Sequence, residues 1–211
     1  MSHLLVCAKR RSDLRGNLLS SEFFANAFTV FCSACLREDD ERDADPALAR
    51  RGRLIWTLRA VRTCPVHGLE LLRRKKVKWD DAFHQMALRV PERAAALDEL
   101  VEAATPQSPS PLQNYVIERL DGATGPIWLD SQTLEQAVRA TEMLGVLLKF
   151  GPGAETGSFS ERQWDVAGRS GYAVTSRGEG AIRDALQAVQ ADFVRKGGKP
   201  ERGNVLGPLY G

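Results

Sequence analysis

Two short pairs of ligand-bearing residues constrain this 211-residue chain more than anything else in it. Cys32 and Cys35 lie in "FCSACL", and Cys64 and His67 lie in "TCPVHG". Each pair sets its side chains three positions apart on a segment that reads as a tight turn, the second around Pro65 with Gly68 directly after the histidine. Ligands so placed can both reach one ion at about 2.0–2.3 Å, and two such bends supply the four corners of a tetrahedron. Cys32, Cys35, Cys64 and His67 therefore predict a Cys3His zinc site. A closed shell of four protein ligands leaves no position for water, so the Zn2+ is expected to be structural. In so small a segment its binding, ~10–16 kcal/mol in apparent terms, doubles as folding free energy.

Other readings of these residues fit less well. Unrelated core cysteines have no reason to fall into two matched pairs. A redox CxxC belongs at a strand-to-helix junction, whereas Cys35 precedes "LREDDERD", which reads as a solvated acidic loop. A Cys64–His67 catalytic dyad has its base on the same turn as the thiol and no orienting third group. Cys7 reads as a small buried or surface thiol, and His3 and His84 have no partner at ligand spacing.

The start, "MSHLLVCAKRRSD", has too short an apolar core for a secretory signal. No apolar run approaches the roughly 20 residues that cross a bilayer, so a cytoplasmic protein without a membrane partner is expected. Four cysteines in that setting do not form a disulfide framework. With 43% hydrophobic and 27% charged residues the composition is that of a soluble globular protein. The net charge of +2 hides an asymmetry: residues 1–79 hold 16 of the 29 Lys and Arg but only 9 of the 27 Asp and Glu. A first third with a net charge of +7 suggests a polyanion such as DNA as partner.

Read for local structure, the chain is mainly α, with a small zinc-ribbon-like module near its start. Phe24, Phe28 and Phe31 recur at helical spacing behind a capping Ser20 or Ser21. A helix is expected from Pro46 to Arg62, with Leu48, Ile55, Leu58 and Val61 as its apolar stripe. Residues 80–103 read as one or two helices interrupted at Pro91, and "TPQSPSP" as a linker. Helices then follow at Leu112–Leu120 and Ser131–Phe150, from "SERQW" onward, and in "GEGAIRDALQAVQADFVRKGG". Short strand-like stretches appear at "YAVTS" and "NVLGPLY". The expected organisation is a basic zinc module over residues 1–104, a linker at 105–111 and a helical domain over 112–211. "GPGAETG" lacks a following Lys-Ser/Thr and reads as a connector, not a phosphate loop.

The residues around the two pairs resemble a known pattern. Cys32, Cys35, Leu36 and Asp39, then Arg53 and Trp56, then Cys64, Pro65, His67, Gly68, Leu69 and Leu72 are similar to the zinc-knuckle region of the TniQ family of transposition proteins. Further on, "WLDSQTLEQAVRATEMLGVLL" resembles that family's helical region with its Leu-Gly pair, and "LGPLYG" a motif near its C-terminal end. The resemblance implies a non-enzymatic accessory or targeting factor with the zinc module beside helix-turn-helix-like helices. It implies an AAA+ ATPase regulator and a transposase as partners, an RNA-guided effector complex in CRISPR-associated elements, and often a homodimer. Three departures stand out: only 31 residues precede Cys32, Ser33 occupies a position where proline is frequent, and the sequence ends after "LGPLYG". They fit a shortened or domesticated member, or a truncated chain.

Arg50, Arg51, Arg53, Arg59 and Arg62 lie between the knuckles, and Arg73, Arg74, Lys75, Lys76 and Lys78 follow the second. Two readings stand for them: phosphate contact with DNA, or a solvated face paired with the acidic "REDDERDADP" run. The DNA reading assigns Arg51, Arg53, Arg59, Arg62, Arg73, Arg74, Lys75 and Lys76. Trp56 and Trp79 fit a core role better than base stacking. The expected function is a zinc-stabilised transposition accessory or target-selection protein that binds DNA and bridges to other transposition proteins. A zinc-ribbon transcription regulator is the alternative, and a thiol enzyme using Cys64 or the CxxC a more distant one.

Overall fold

The computed structural model describes residues 4–8 as backbone, and residues 10–76 and 86–196 with their side chains. In chain order its elements are strands β1 (Leu4–Ala8), β2 (Arg11–Leu14), β3 (Asn17–Ser20) and β4 (Phe28–Phe31), helices α1 (Ser33–Asp40) and α2 (Pro46–Ala49), and strand β5 (Leu72–Lys75). Helices α3 (Met86–Arg89), α4 (Ala94–Glu102), α5 (Pro111–Leu120), α6 (Ile127–Asp130), α7 (Leu134–Phe150), α8 (Glu161–Thr175) and α9 (Glu179–Arg195) follow. The protein is thus mainly helical, as the periodicities predict. It divides into two units, one of Ser21–Pro109, the other of the residues up to Ser20 together with those from Ser110 onward. The side chain of Cys7, and His3, Lys78, Trp79, His84 and the "NVLGPLY" and "LGPLYG" stretches, lie outside the described residues.

In the unit Ser21–Pro109 the sequence periodicity misleads twice. The phenylalanine-rich run holds no long helix: Ser21–Phe23 is a single 3-10 turn, and Phe28–Phe31 is β4, antiparallel to β5 with Phe28 opposite Lys75 and Phe31 opposite Leu72. Thr29, Val30 and Phe31 are strand formers, and a partner strand some forty residues away decides the contest. The helix expected from Pro46 to Arg62 is confined to α2 and a 3-10 turn at Leu54–Thr57. Asp45 caps α2 by accepting from Ala47 N at 2.9 Å, but Arg50 already has extended backbone. The chain leaves the helix there because Arg50 and Arg53 turn inward to carboxylates. Trp56, 1% exposed, and Leu58, fully buried, anchor this crossing to the core with Phe31, Leu36 and Val61. Trp56 is thus core, with the Arg53 guanidinium 4.7 Å above its ring.

The "LREDDERD" run is not a loop either. Its first half completes α1, and its carboxylates are counter-ions. Asp39, fully buried, accepts from Arg53 Nη1 and Nη2 at 3.1 Å, from Arg42 at 3.3 Å and from Arg51 N at 3.2 Å. Asp40 takes both ends of the buried Arg50 guanidinium, at 2.7 and 2.6 Å. Arg50 also donates to the Val90 and Glu92 carbonyls, tying the turn before α4 to α1. For the Arg50 and Arg53 side chains, pairing with the acidic run is the arrangement found.

In the other unit, β1, β2 and β3 form an antiparallel meander. The β2–β3 turn is two residues long, with Arg15 at φ 52° and Gly16 at φ 78°, the doubly left-handed geometry that suits a tight hairpin. Ser20 N and Oγ both donate to the Glu135 carboxylate, at 2.9 and 2.5 Å, joining β3 to the first turn of α7. Helices α5, α7 and α8 begin at Ser110, Thr133 and Ser160, whose side chains accept from the backbone three residues on. Leu134, Val138, Leu144 and Leu147 line the buried side of α7, with Met143 half-buried. The "YAVTS" stretch, expected as a strand, lies at the C-terminal end of α8, where a continuous helix holds it against α7.

Candidate metal centre

The first bend arises where β4 runs straight into α1. Cys32 has extended backbone and stands at the helix N-cap, its carbonyl accepting from Leu36 N at 3.1 Å. Cys35 follows in the first helical turn, so both sulfurs emerge from one helix start. The second bend is a chain reversal between Thr63 and Glu70, which bridge each other. Cys64 N donates to Leu69 O at 2.7 Å, Gly68 N donates to Cys64 O at 2.9 Å, and Gly68 takes φ 61°, a conformation that favours glycine. Gln107 N donates to Gly68 O at 2.7 Å, so the "TPQSP" stretch is seated on this bend. Pairing of β4 with β5 brings the two bends together, since Cys32 follows one strand of the pair and His67 precedes the other.

The four predicted ligands converge. Their donor atoms all lie within 4.8 Å of one another. His67 Nδ1 is 3.2 Å from Cys35 Sγ and 3.7 Å from both Cys32 Sγ and Cys64 Sγ, and the Cys35 and Cys64 sulfurs are 3.6 Å apart. A tetrahedral ion with bonds of about 2.1–2.3 Å sets ligand-to-ligand edges of roughly 3.6–3.8 Å. The donor set and its spacing therefore fit such an ion. The three cysteines are free and buried, and His67 is half-buried.

The electrostatics favour a cation at this point. Hydrogen bonding from Cys32 and Cys35 pulls the Cys64 thiol far below its ordinary range, while hydrogen bonding with Cys32 and Cys64, reinforced by burial, pushes Cys35 far above it. Cys32 is raised as well, the lowering by its bond with Cys35 being outweighed by Cys64 and burial. For His67, burial acts to lower the imidazole's pKa, but hydrogen bonding with Glu38 and Cys64 overcomes it and the net shift is upward. A divalent ion lets all three ionise.

Contrary to the sequence-based expectation, the CxxC does sit at a strand-to-helix junction, so its position alone does not set redox chemistry aside. What separates the readings is the third sulfur and the imidazole beside the pair, which complete a set of four donors that could hold an ion. Sequence reasoning missed Glu38, whose carboxylate Oε1 is 2.8 Å from His67 Nε2. Its spacing, one helical turn beyond Cys35, was the available signal.

Among the basic residues, Arg51, Arg59 and Lys75 are exposed. Arg62 is buried, and Arg53 is engaged by Asp39. Arg74 donates to the Glu92 carboxylate and, at 2.8 Å, to Arg89 O, with its guanidinium 5.6 Å from the Phe31 ring centre. Arg73 and Lys76 are half-buried, and burial, then Arg89, lowers the Lys76 pKa. The eight residues do not form one continuous exposed stripe. Among the described residues no helix is long and apolar enough to cross a membrane.

Residues 2–71, which contain both bends, match the family model TniQ. No curated protein and no solved structure matches the chain.

Proposed function

From the match of residues 2–71 to the TniQ family model we propose that this protein is a zinc-stabilised transposition accessory factor that contacts DNA and bridges to other transposition proteins. The observation that carries the reading is the convergence of Cys32, Cys35, Cys64 and His67 inside the matched segment, with all four donor atoms within 4.8 Å of one another. Three thiols and one imidazole suit Zn2+ better than the hard, oxygen-seeking cations. All four corners come from the protein, which leaves no open position for a reacting water. The ion's part is then to hold β4, α1 and the Cys64–His67 bend together, and the protein has no catalytic step of its own.

DNA contact is supported by the positive first third and by Arg51, Arg59 and Lys75, which reach solvent from the unit that holds the metal centre. Arg53, Arg73, Arg74 and Lys76 stand behind them as partly exposed contributors, while Arg62 serves the fold. Such contact works through phosphates and is sequence-independent and salt-sensitive. The protein partners we propose are an AAA+ ATPase regulator and a transposase, with an RNA-guided effector complex where the element carries one. A homodimer is the proposed assembly.

Two measurements on purified full-length protein test this together: zinc content without added metal, and DNA retention at two salt concentrations in the presence and absence of the ATPase. Stoichiometric zinc with salt-dependent retention is expected. Protein that carries zinc but retains neither DNA nor the ATPase would refute the accessory role, and protein without zinc would refute the structural premise.

A further inference from the structure

The two nitrogens of His67 have different neighbours. Nδ1 faces the three sulfurs at 3.2–3.7 Å, and Nε2 faces Glu38 Oε1 at 2.8 Å. An imidazole that ligates a metal through one nitrogen carries its proton on the other, and the acceptor of that proton fixes the tautomer and the ring's orientation. We propose that Glu38 is the positioning residue of the metal centre: its carboxylate accepts the Nε2 proton and so presents Nδ1 to the ion. The proposal rests on the zinc reading above.

Helix geometry explains how the residue comes to be there. Glu38 follows Cys35 by three positions on α1, which sets it on the same face one turn along. Its two successors are committed elsewhere, Asp39 to Arg53, Arg42 and Arg51 N, and Asp40 to Arg50. Three consecutive carboxylates on one short helix thus serve three different sets of partners, and Glu38 is the one directed at His67. The Glu38 side chain is 47% exposed, so truncating it opens no cavity and leaves the core packing as it is. A His–Glu pair whose carboxylate stands in solvent contributes little to stability by itself. A role in metal affinity, by contrast, follows from the Nδ1 placement, because a carboxylate on the outer N–H also raises the basicity of the ligating nitrogen.

The test compares full-length wild type, Glu38→Ala and Glu38→Gln in competition for zinc with a chromophoric chelator, alongside 15N–1H spectra of the His67 ring. Glu38→Ala is expected to weaken zinc binding by about 10- to 100-fold. Glu38→Gln, whose amide oxygen still accepts, should recover part of that loss. The wild-type spectrum should show a metal-bound Nδ1 and a protonated Nε2. Equal zinc affinity in all three proteins, or a metal-bound Nε2, overturns the proposal while leaving the zinc reading in place. Wild-type protein that binds no zinc overturns both.

Discussion

Gly145 on α7 and Gly171 on α8 meet backbone to backbone. A Cβ built on Gly145 would stand 1.8 Å from the Ala167 carbonyl oxygen and 2.9 Å from Gly171 N, and one built on Gly171 would stand 1.8 Å from the Thr141 carbonyl oxygen. No side chain fits at either position while the helices stay this close. The buried hydroxyls of Thr141 and Thr175, 3.0 Å apart, pair along the same seam. This is the physical content of the Leu-Gly pair noted in the sequence: Leu144 is a core residue of α7 and Gly145 permits the crossing.

Gly145→Ala and Gly171→Ala should therefore each separate α7 from α8. Overpacking of this kind typically costs about 1–3 kcal/mol, and the loss should lie at the upper end because the obstruction is backbone, which cannot rotate away. Denaturant midpoints followed by far-UV circular dichroism measure it. Zinc content should be unchanged in both variants.

Removal of the metal should act on the other unit. Chelation, Cys64→Ser or His67→Ala is expected to unfold much of Ser21–Pro109 while leaving α5, α7 and α8 protected. Amide hydrogen exchange resolved by segment reads this directly. Simultaneous loss of protection throughout would show the two units to be one cooperative structure.

Asp39→Ala leaves Arg53, Arg42 and the Arg51 N–H without their shared acceptor. Breaking a buried pair costs about 3–5 kcal/mol, and partial solvent access to Arg53 and Arg42 places this change near the lower bound. Urea unfolding at neutral pH is the measurement. Asp39→Asn should recover little, since its amide cannot accept from both guanidinium nitrogens of Arg53.

Glu92 gives a dependence on pH. The hydrogen bond from Arg74 holds its carboxyl below the usual glutamate range, against the opposing effect of burial. A depressed folded-state pKa means stability that is present above the unfolded value, near 4.5, and lost as the pH falls through the folded one. Glu92→Gln should thus be less stable than wild type at pH 7, with the difference closing below about pH 4. Paired denaturation curves across that range test the sign.

For DNA, combined Arg51→Ala, Arg59→Ala and Lys75→Ala should flatten the salt dependence of binding. The slope should fall by about 0.9 for each phosphate no longer neutralised, with thermal stability unchanged. Arg62→Ala should show the opposite pattern, because its side chain is buried. Retention assays over a salt series, with melting curves as control, separate the two.

The sequence by itself determined what is chemically specific and local. The ligand pairs named the four donors that converge because a bend of fixed spacing dictates which side chains can reach one point. The cap at the head of "SERQW" marked the start of α8 because the Ser160 side chain satisfies a backbone N–H three residues on. Tertiary structure decided what depends on distant partners. Phe28–Phe31 became a strand because residues 72–75 lie beside it, and the run after Pro46 left its helix because Arg50 and Arg53 found Asp40 and Asp39 on α1. Whether an arginine faces solvent or a buried carboxylate is likewise a long-range outcome, and composition, which counts charges without their neighbours, does not contain it.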